Sequence, residues 1–194
     1  GTIGHMVSTY AIRLYAWSAY AFCDDSLQST MNGYFDVDSR FEWLDKIIRP
    51  KLLEPKTLQE KISFTEQVLL KRLSDVRENT VVNDTIQNIL INKGSLDIAK
   101  LAKESFVSTR QLERLFHEYV GITPKKLSNL IRYQFLWRDI LCEPDFDVLS
   151  AVYKFGYTDQ SHLLREFKRY HSMDIHNAKI MAFKDVGNIQ DVFV

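Results

Sequence analysis

The feature that most constrains this chain is an internal repeat. Ile98, Leu101, Phe116 and Tyr119 recur as Val148, Ala151, Phe167 and Tyr170, at offsets of 50 and then 51 residues. The offset changes inside a turn, where the second copy carries one additional residue. Two copies at this period are too few and too long for a solenoid, which needs about three stacked units. The repeat predicts instead two copies of one compact helical unit. Each has a short helix, a tight turn and an amphipathic helix opened by a capping residue, Ser108 in the first copy and Asp159 in the second.

The second helix of each copy has two incompatible faces. In "TRQLERLFHEY", Leu112, Leu115, Phe116 and Tyr119 form an apolar i, i+3, i+4, i+7 stripe. Arg110, Glu113, Arg114 and His117 form the same stripe displaced by two residues, roughly 200° around the helix. In "FGYTDQSHLLREFKRY", Leu163, Phe167 and Tyr170 lie on one face and Ser161, Arg165 and Lys168 on the other. One face packs while the opposite face projects, as the second helix of a helix-turn-helix must. Gly156 stands in the turn, where a positive φ is expected. Between the copies, "PKKLSNLIRYQFLWRDIL" opens with Pro124 at a favourable first helical position. At about 1.5 Å per residue it spans roughly 26 Å. Such a spacer suits two reading helices held close to one DNA turn apart, about 34 Å.

Upstream, "VVNDTIQNILIN" reads as a helix stopped by Gly94, with Ser95 expected to cap "LDIAKLAKE". The first 80 residues or so have another texture. "YAIRLYAWSAYAF" begins with strand-like alternation, Ile12 and Leu14 flanking Arg13, and a second short strand is expected at Gly33–Val37. "RFEWLDKII" and "TLQEKISFTEQVLLKRL" have helical spacing, with Ile62, Val68, Leu69 and Leu73 on one side of the latter. Ser74–Thr80 is polar and aperiodic and reads as a linker. The expected fold is mainly α: two helix-turn-helix units joined by a long linker helix, preceded by a small α+β segment. The expected divisions are 6–80, a remnant of a sensory or regulatory domain; 81–183, the twin unit; and 184–194, a tail. "GTIGHM" reads as a cloning remnant, so Gly1–His5 carry no argument.

"LAKESFVSTRQLERLFHEYVGITPKKL", the linker helix and "GYTDQSHLLREFKRY" together resemble the twin helix-turn-helix domain of AraC/XylS-type transcription regulators. The resemblance covers about half the chain, Val81–Phe183, and extends to the spacing, the caps, the "GITP" turn and the one-residue difference between copies. The preceding segment resembles the end of a cupin-like sensory domain, which implies a piece of a longer regulator. Four positions depart from the family pattern. Phe106 stands where the first turn usually has Gly, and Ile175 where the second copy usually repeats the Pro seen at Pro124. Glu113 and Leu164 occupy reading-face places more often neutral polar or basic.

The resemblance implies sequence-specific recognition of double-stranded promoter DNA in a bacterial cytoplasm. RNA polymerase and a small-molecule effector, bound through the N-terminal part, are the further candidate partners. The base-reading candidates are Thr109, Arg110, Glu113 and Arg114 in the first copy and Gln160, Ser161, His162 and Arg165 in the second. An arginine suits the bidentate reading of guanine and a glutamate the amino group of cytosine. The plainer alternatives are solvated arginines, a surface histidine, and Glu113 paired with Arg110 or His117. Leu164 suits a thymine methyl or a neighbouring helix. Phosphate candidates are Thr123, Lys125 and Lys126 at the start of the linker helix, and Lys168. Tyr10, Tyr15, Trp17, Tyr20 and Phe22 either line an effector pocket or form core.

Charge sharpens this only modestly. Lys+Arg and Asp+Glu number 25 each, and Ser95–Phe183 holds 13 against 11, a net of +2. Binding must then rest on where the basic residues sit rather than on bulk charge. Chemistry is not expected, and no cofactor or metal. His171 and His176 are five apart, which does not align two ligands on a helix face. Cys23 and Cys142 lack partners at zinc spacing, so a four-cysteine DNA-repair site cannot be assembled. Two cysteines also indicate a reduced compartment, and no apolar run reaches the roughly 20 residues of a membrane span.

Overall fold

The computed structural model describes residues 9–15, 17–23, 36–75 and 79–184. The chain divides into two compact bodies, one comprising residues up to Asn79 with Arg114–Ile122, the other Thr80–Glu113 with the chain from Thr123 onward. The described elements are helical, and none is long and apolar enough to cross a membrane.

In the first body a 3-10 turn at Ala19–Ala21 precedes α1 (Val37–Arg40), α2 (Glu42–Leu53) and α3 (Leu58–Ser74). Helix α3 starts at a reciprocal capping box. The Thr57 hydroxyl accepts from the Glu60 amide at 3.3 Å, and the Glu60 carboxylate accepts from the Thr57 amide at 2.9 Å. The 3-10 segment is tied down by Trp43, whose Nε1 donates to the Phe22 carbonyl at 2.7 Å, and by Arg72, whose Nε donates to the Ala21 carbonyl. Leu44 and Ile48 of α2 are buried, as are Ala21, Phe22 and Cys23.

The described residues of the expected α+β segment contain no strand. Tyr10–Tyr15 form no ladder, and a strand without a paired neighbour has nothing to satisfy its backbone. The Tyr10 hydroxyl instead donates to Thr65 Oγ1 of α3 at 3.0 Å. Of the second expected strand, residues 33–35 lie outside the described residues, and Val37 opens α1. The N-terminal aromatics do not gather in one pocket: Phe22 is buried, while exposed Tyr15 stacks on Trp17 at 4.7 Å. Tyr10 alone of them lines a groove of about 340 Å³, with Ile12, Leu14, Phe41, Ile48 and Leu52. On α3, Leu73 is exposed although its spacing places it with Ile62 and Leu69.

The second body holds α4 (Thr80–Ile91), α5 (Ile98–Glu104), the opening of α6 (Thr109–Tyr119), α7 (Pro124–Cys142), α8 (Val148–Phe155), α9 (Gln160–His171) and α10 (Ile175–Lys184). Helix α7, 19 residues and about 28 Å long, is its axis and packs on α4, α8 and α10. Leu136 and Ile140 of α7 meet Ala151, Val152 and Phe155 of α8, Leu163 and Phe167 of α9, and Ala178 of α10 in one core. A side chain as fully buried as Phe155, Leu163 or Phe167 contributes about 1.5–3 kcal/mol of transfer free energy.

Gly94 ends α4 as expected, at φ +74°, its amide donating to the Ile89 carbonyl at 2.8 Å. A Cβ there would lie 2.1 Å from the Ser128 carbonyl of α7, so this close helix approach excludes any side chain. The cap of α5 differs from expectation. Asp97, not Ser95, accepts from the amides of Ala99 and Lys100 at 2.8 and 3.3 Å. The helix starts at Ile98, and only the residue directly before it reaches those amides. Ser95 lies instead against Gly156.

Candidate nucleic-acid interface

The two helix-turn-helix units repeat at the level of single backbone bonds. In the first turn Phe106 has φ +55° and the Val107 amide donates to the Ala102 carbonyl at 3.1 Å. In the second, Gly156 has φ +65° and the Tyr157 amide donates to the Val152 carbonyl at 2.9 Å. The additional residue of the second copy falls after this matched geometry, between Tyr157 and Asp159. Phe106 therefore holds the left-handed position that its place in the turn demands, without being glycine.

Both amphipathic helices open at the expected caps. Ser108 and Gln111 form a reciprocal box, Gln111 donating its amide to Ser108 Oγ at 3.2 Å and accepting the Ser108 amide at 2.9 Å. Asp159 Oδ1 accepts from the His162 amide at 2.7 Å. The apolar stripes are buried at their centres: Leu112, Phe116, Leu163 and Phe167 are at most 1% exposed, while Leu115 and Tyr119 are half-buried and Tyr170 is exposed at the end of its stripe. On the other stripe Thr109, Arg110, Glu113 and Arg114 are exposed on α6, as are Gln160, Ser161, Arg165 and Lys168 on α9. Leu164 remains 44% exposed on that face.

Several candidates have settings of their own. His162 is half-buried: its Nδ1 accepts from the Thr158 amide at 3.4 Å and its Nε2 lies 3.9 Å from Glu166 Oε2. Thr123 caps α7, accepting from the Lys126 amide at 3.2 Å, so its oxygen already has a donor. Lys125 and Lys126 are exposed in the first turn that this cap opens. Glu113 has no ion-pair partner among the described residues, so neither Arg110 nor His117 claims it.

One polar group escapes the sequence reading. Arg132 of α7 donates from a single guanidinium nitrogen to both Glu166 oxygens of α9, at 3.0 and 2.8 Å. The two side chains are only 8% and 11% exposed. The Tyr157 hydroxyl donates to Glu166 Oε1 at 2.9 Å, and the Arg132 guanidinium lies 4.2 Å from the centre of the Tyr157 ring. Burial, then the Glu166 charge, raises the Tyr157 pKa far above its ordinary value, which keeps the hydroxyl a neutral donor. The signal in the sequence is a charged residue inside a packed stretch of the linker helix, beside Ile131 and one turn from Leu136.

A family described as a helix-turn-helix domain matches residues 101–177. The chain is 26% identical over 121 residues to the HTH-type transcriptional activator RhaS of Escherichia coli O139:H28, covering 59% of this chain and 43% of that protein. The RhaS proteins of Escherichia coli strains SE11 and K12 / DH10B match to the same extent. This chain thus spans less than half the length of these relatives. No solved structure matches it. The matched turns, the caps and these relatives lead to one conclusion: residues 101–177 form a helix-turn-helix domain, similar to that of the RhaS transcriptional activators.

Proposed function

We propose that this chain is a sequence-specific regulator of transcription that inserts α6 and α9 into successive major grooves of promoter DNA. The observation that carries the reading is the paired exposure pattern. Two helices opened by the same turn each bury one apolar stripe and leave arginine and polar side chains projecting from the other. Arg110 and Arg114 on α6, and Gln160, Ser161 and Arg165 on α9, read base edges. Lys125, Lys126 and Lys168 hold phosphates together with the amino end of α7. No reaction is catalysed. The setting is a bacterial cytoplasm, with RNA polymerase as the protein partner and residues 6–80 as the regulatory part. An effector would enter through that part, and 81–183 would act as the DNA-binding unit.

A second reading has one observation in its favour. Phe106, 97% exposed, puts an apolar ring where the DNA-binding pattern has glycine, a change that costs backbone strain and buries nothing within the chain. One experiment separates the two. Binding sites are selected from random duplex DNA, and Arg114→Ala and Arg165→Ala are measured on the selected site. Each variant should lose about 1–3 kcal/mol of specific binding with helical content unchanged. A selection that returns no preferred sequence favours the protein-interaction reading.

A further inference from the structure

Three elements of the second body meet at Arg132. Its side chain grips Glu166 of α9, while its backbone forms the surface that Gly94 abuts: a Cβ on Gly94 would lie 2.5 Å from the Arg132 amide nitrogen and 2.8 Å from its Cβ. Beside it the Ser128 hydroxyl donates to the Gly94 carbonyl at 2.7 Å. Gly94 leads through Ser95 to α5, the opening helix of the first unit, and Ser95 in turn packs against Gly156, the turn glycine of the second. Arg132 therefore joins the frame of one helix-turn-helix to the reading helix of the other, within one compact body that also holds Thr109–Glu113 of α6.

The contact is directional. Glu166 accepts from Arg132 on both oxygens and from Tyr157 on one, so its carboxylate has a single favoured orientation. Glu166 sits between Leu163 and Phe167 on α9, and fixing it fixes the rotation of that helix about its own axis. Apolar packing alone would tolerate a wider range of helix positions, because dispersion contacts are individually weak and lack preferred angles. A buried ion pair is poor evidence of stability, since the desolvation of both charges offsets their attraction.

We propose that Arg132 is a positioning residue for specificity: by tying Glu166 of α9 to the stretch of α7 that Gly94 abuts, it sets which spacing between two DNA half-sites the chain accepts. The inference rests on the proposed DNA-binding function. It makes spacing, not base identity, the property that the buried pair controls.

The test uses the full chain and a duplex carrying both selected half-sites, with the spacer lengthened or shortened by one base pair. The parent should bind the altered duplexes about tenfold more weakly, because each base pair turns one half-site by roughly a tenth of a helical turn. Arg132→Met alone strands a buried carboxylate and is expected to unfold the unit. The double variant Arg132→Met with Glu166→Met removes both charges and should keep its helical content. It should also keep its base preference within each half-site, while its spacing preference falls below about threefold. Tyr157→Phe, which removes one bond to Glu166, should fall between. A double variant that folds and retains the parent's spacing preference overturns this inference alone. A parent with no sequence-dependent binding overturns the proposed function, and the inference with it.

Discussion

Phe106 and Gly156 occupy the same place in their turns, at φ +55° and +65°, yet only one of them adopts that backbone cheaply. A side chain in the left-handed region costs about 1–2 kcal/mol. Phe106 gets no packing in return, being almost wholly exposed. Phe106→Gly should relieve the strain, partly offset by the greater freedom of glycine in the unfolded chain. The expected outcome is a net stabilisation of about 0.5–1 kcal/mol in urea denaturation. A fall in stability would show that the ring makes a contact the exposed position does not reveal. The same substitution should leave duplex binding intact in a titration of the selected site.

Helices are the legible elements, and the reasons are local. Periodicity marks the buried stripes of α6 and α9, while Ser108 and Asp159 mark where they start and Gly94 and Gly156 where α4 and α8 end. Caps and left-handed turns are settled within a few residues. The cap of α5 lies two residues from its expected place, since Ser95 and Asp97 are equally good caps until the first helical residue is known. Strand-like alternation at Ile12–Leu14 misleads for a different reason: pairing depends on a partner that local pattern does not supply. Arg132 and Glu166 stand 34 residues apart and become a pair only through the fold. The start of α7 gives the prediction at this scale. Thr123 has already committed its oxygen to the Lys126 amide, so the proposed phosphate contacts at this helix start rest on the two lysine side chains. Lys125→Ala with Lys126→Ala should weaken specific and non-specific duplex binding alike. It should also flatten the salt dependence by about one unit of slope for each phosphate no longer neutralised. An altered base preference at unchanged slope would count against that role.

At the scale of the molecule, a net charge of zero gives the chain no general attraction to a polyanion. Affinity would then come from placement: exposed arginines and lysines on two helices and one helix end, with several acidic residues kept as caps or paired. Asp97, Asp147 and Asp159 each accept amides at a helix start, and Asp139 lies 2.7 Å from Lys154, so these carboxylates are already engaged. The proposed pair of reading helices implies two separate footprints on the duplex. Hydroxyl-radical footprinting of the full chain on a site selected from random DNA measures this directly. Twin insertion predicts two protected patches on one face of the duplex, about 10 base pairs apart. Arg114→Ala should weaken one patch and Arg165→Ala the other. A single patch, unaffected by one of the two substitutions, would contradict twin insertion.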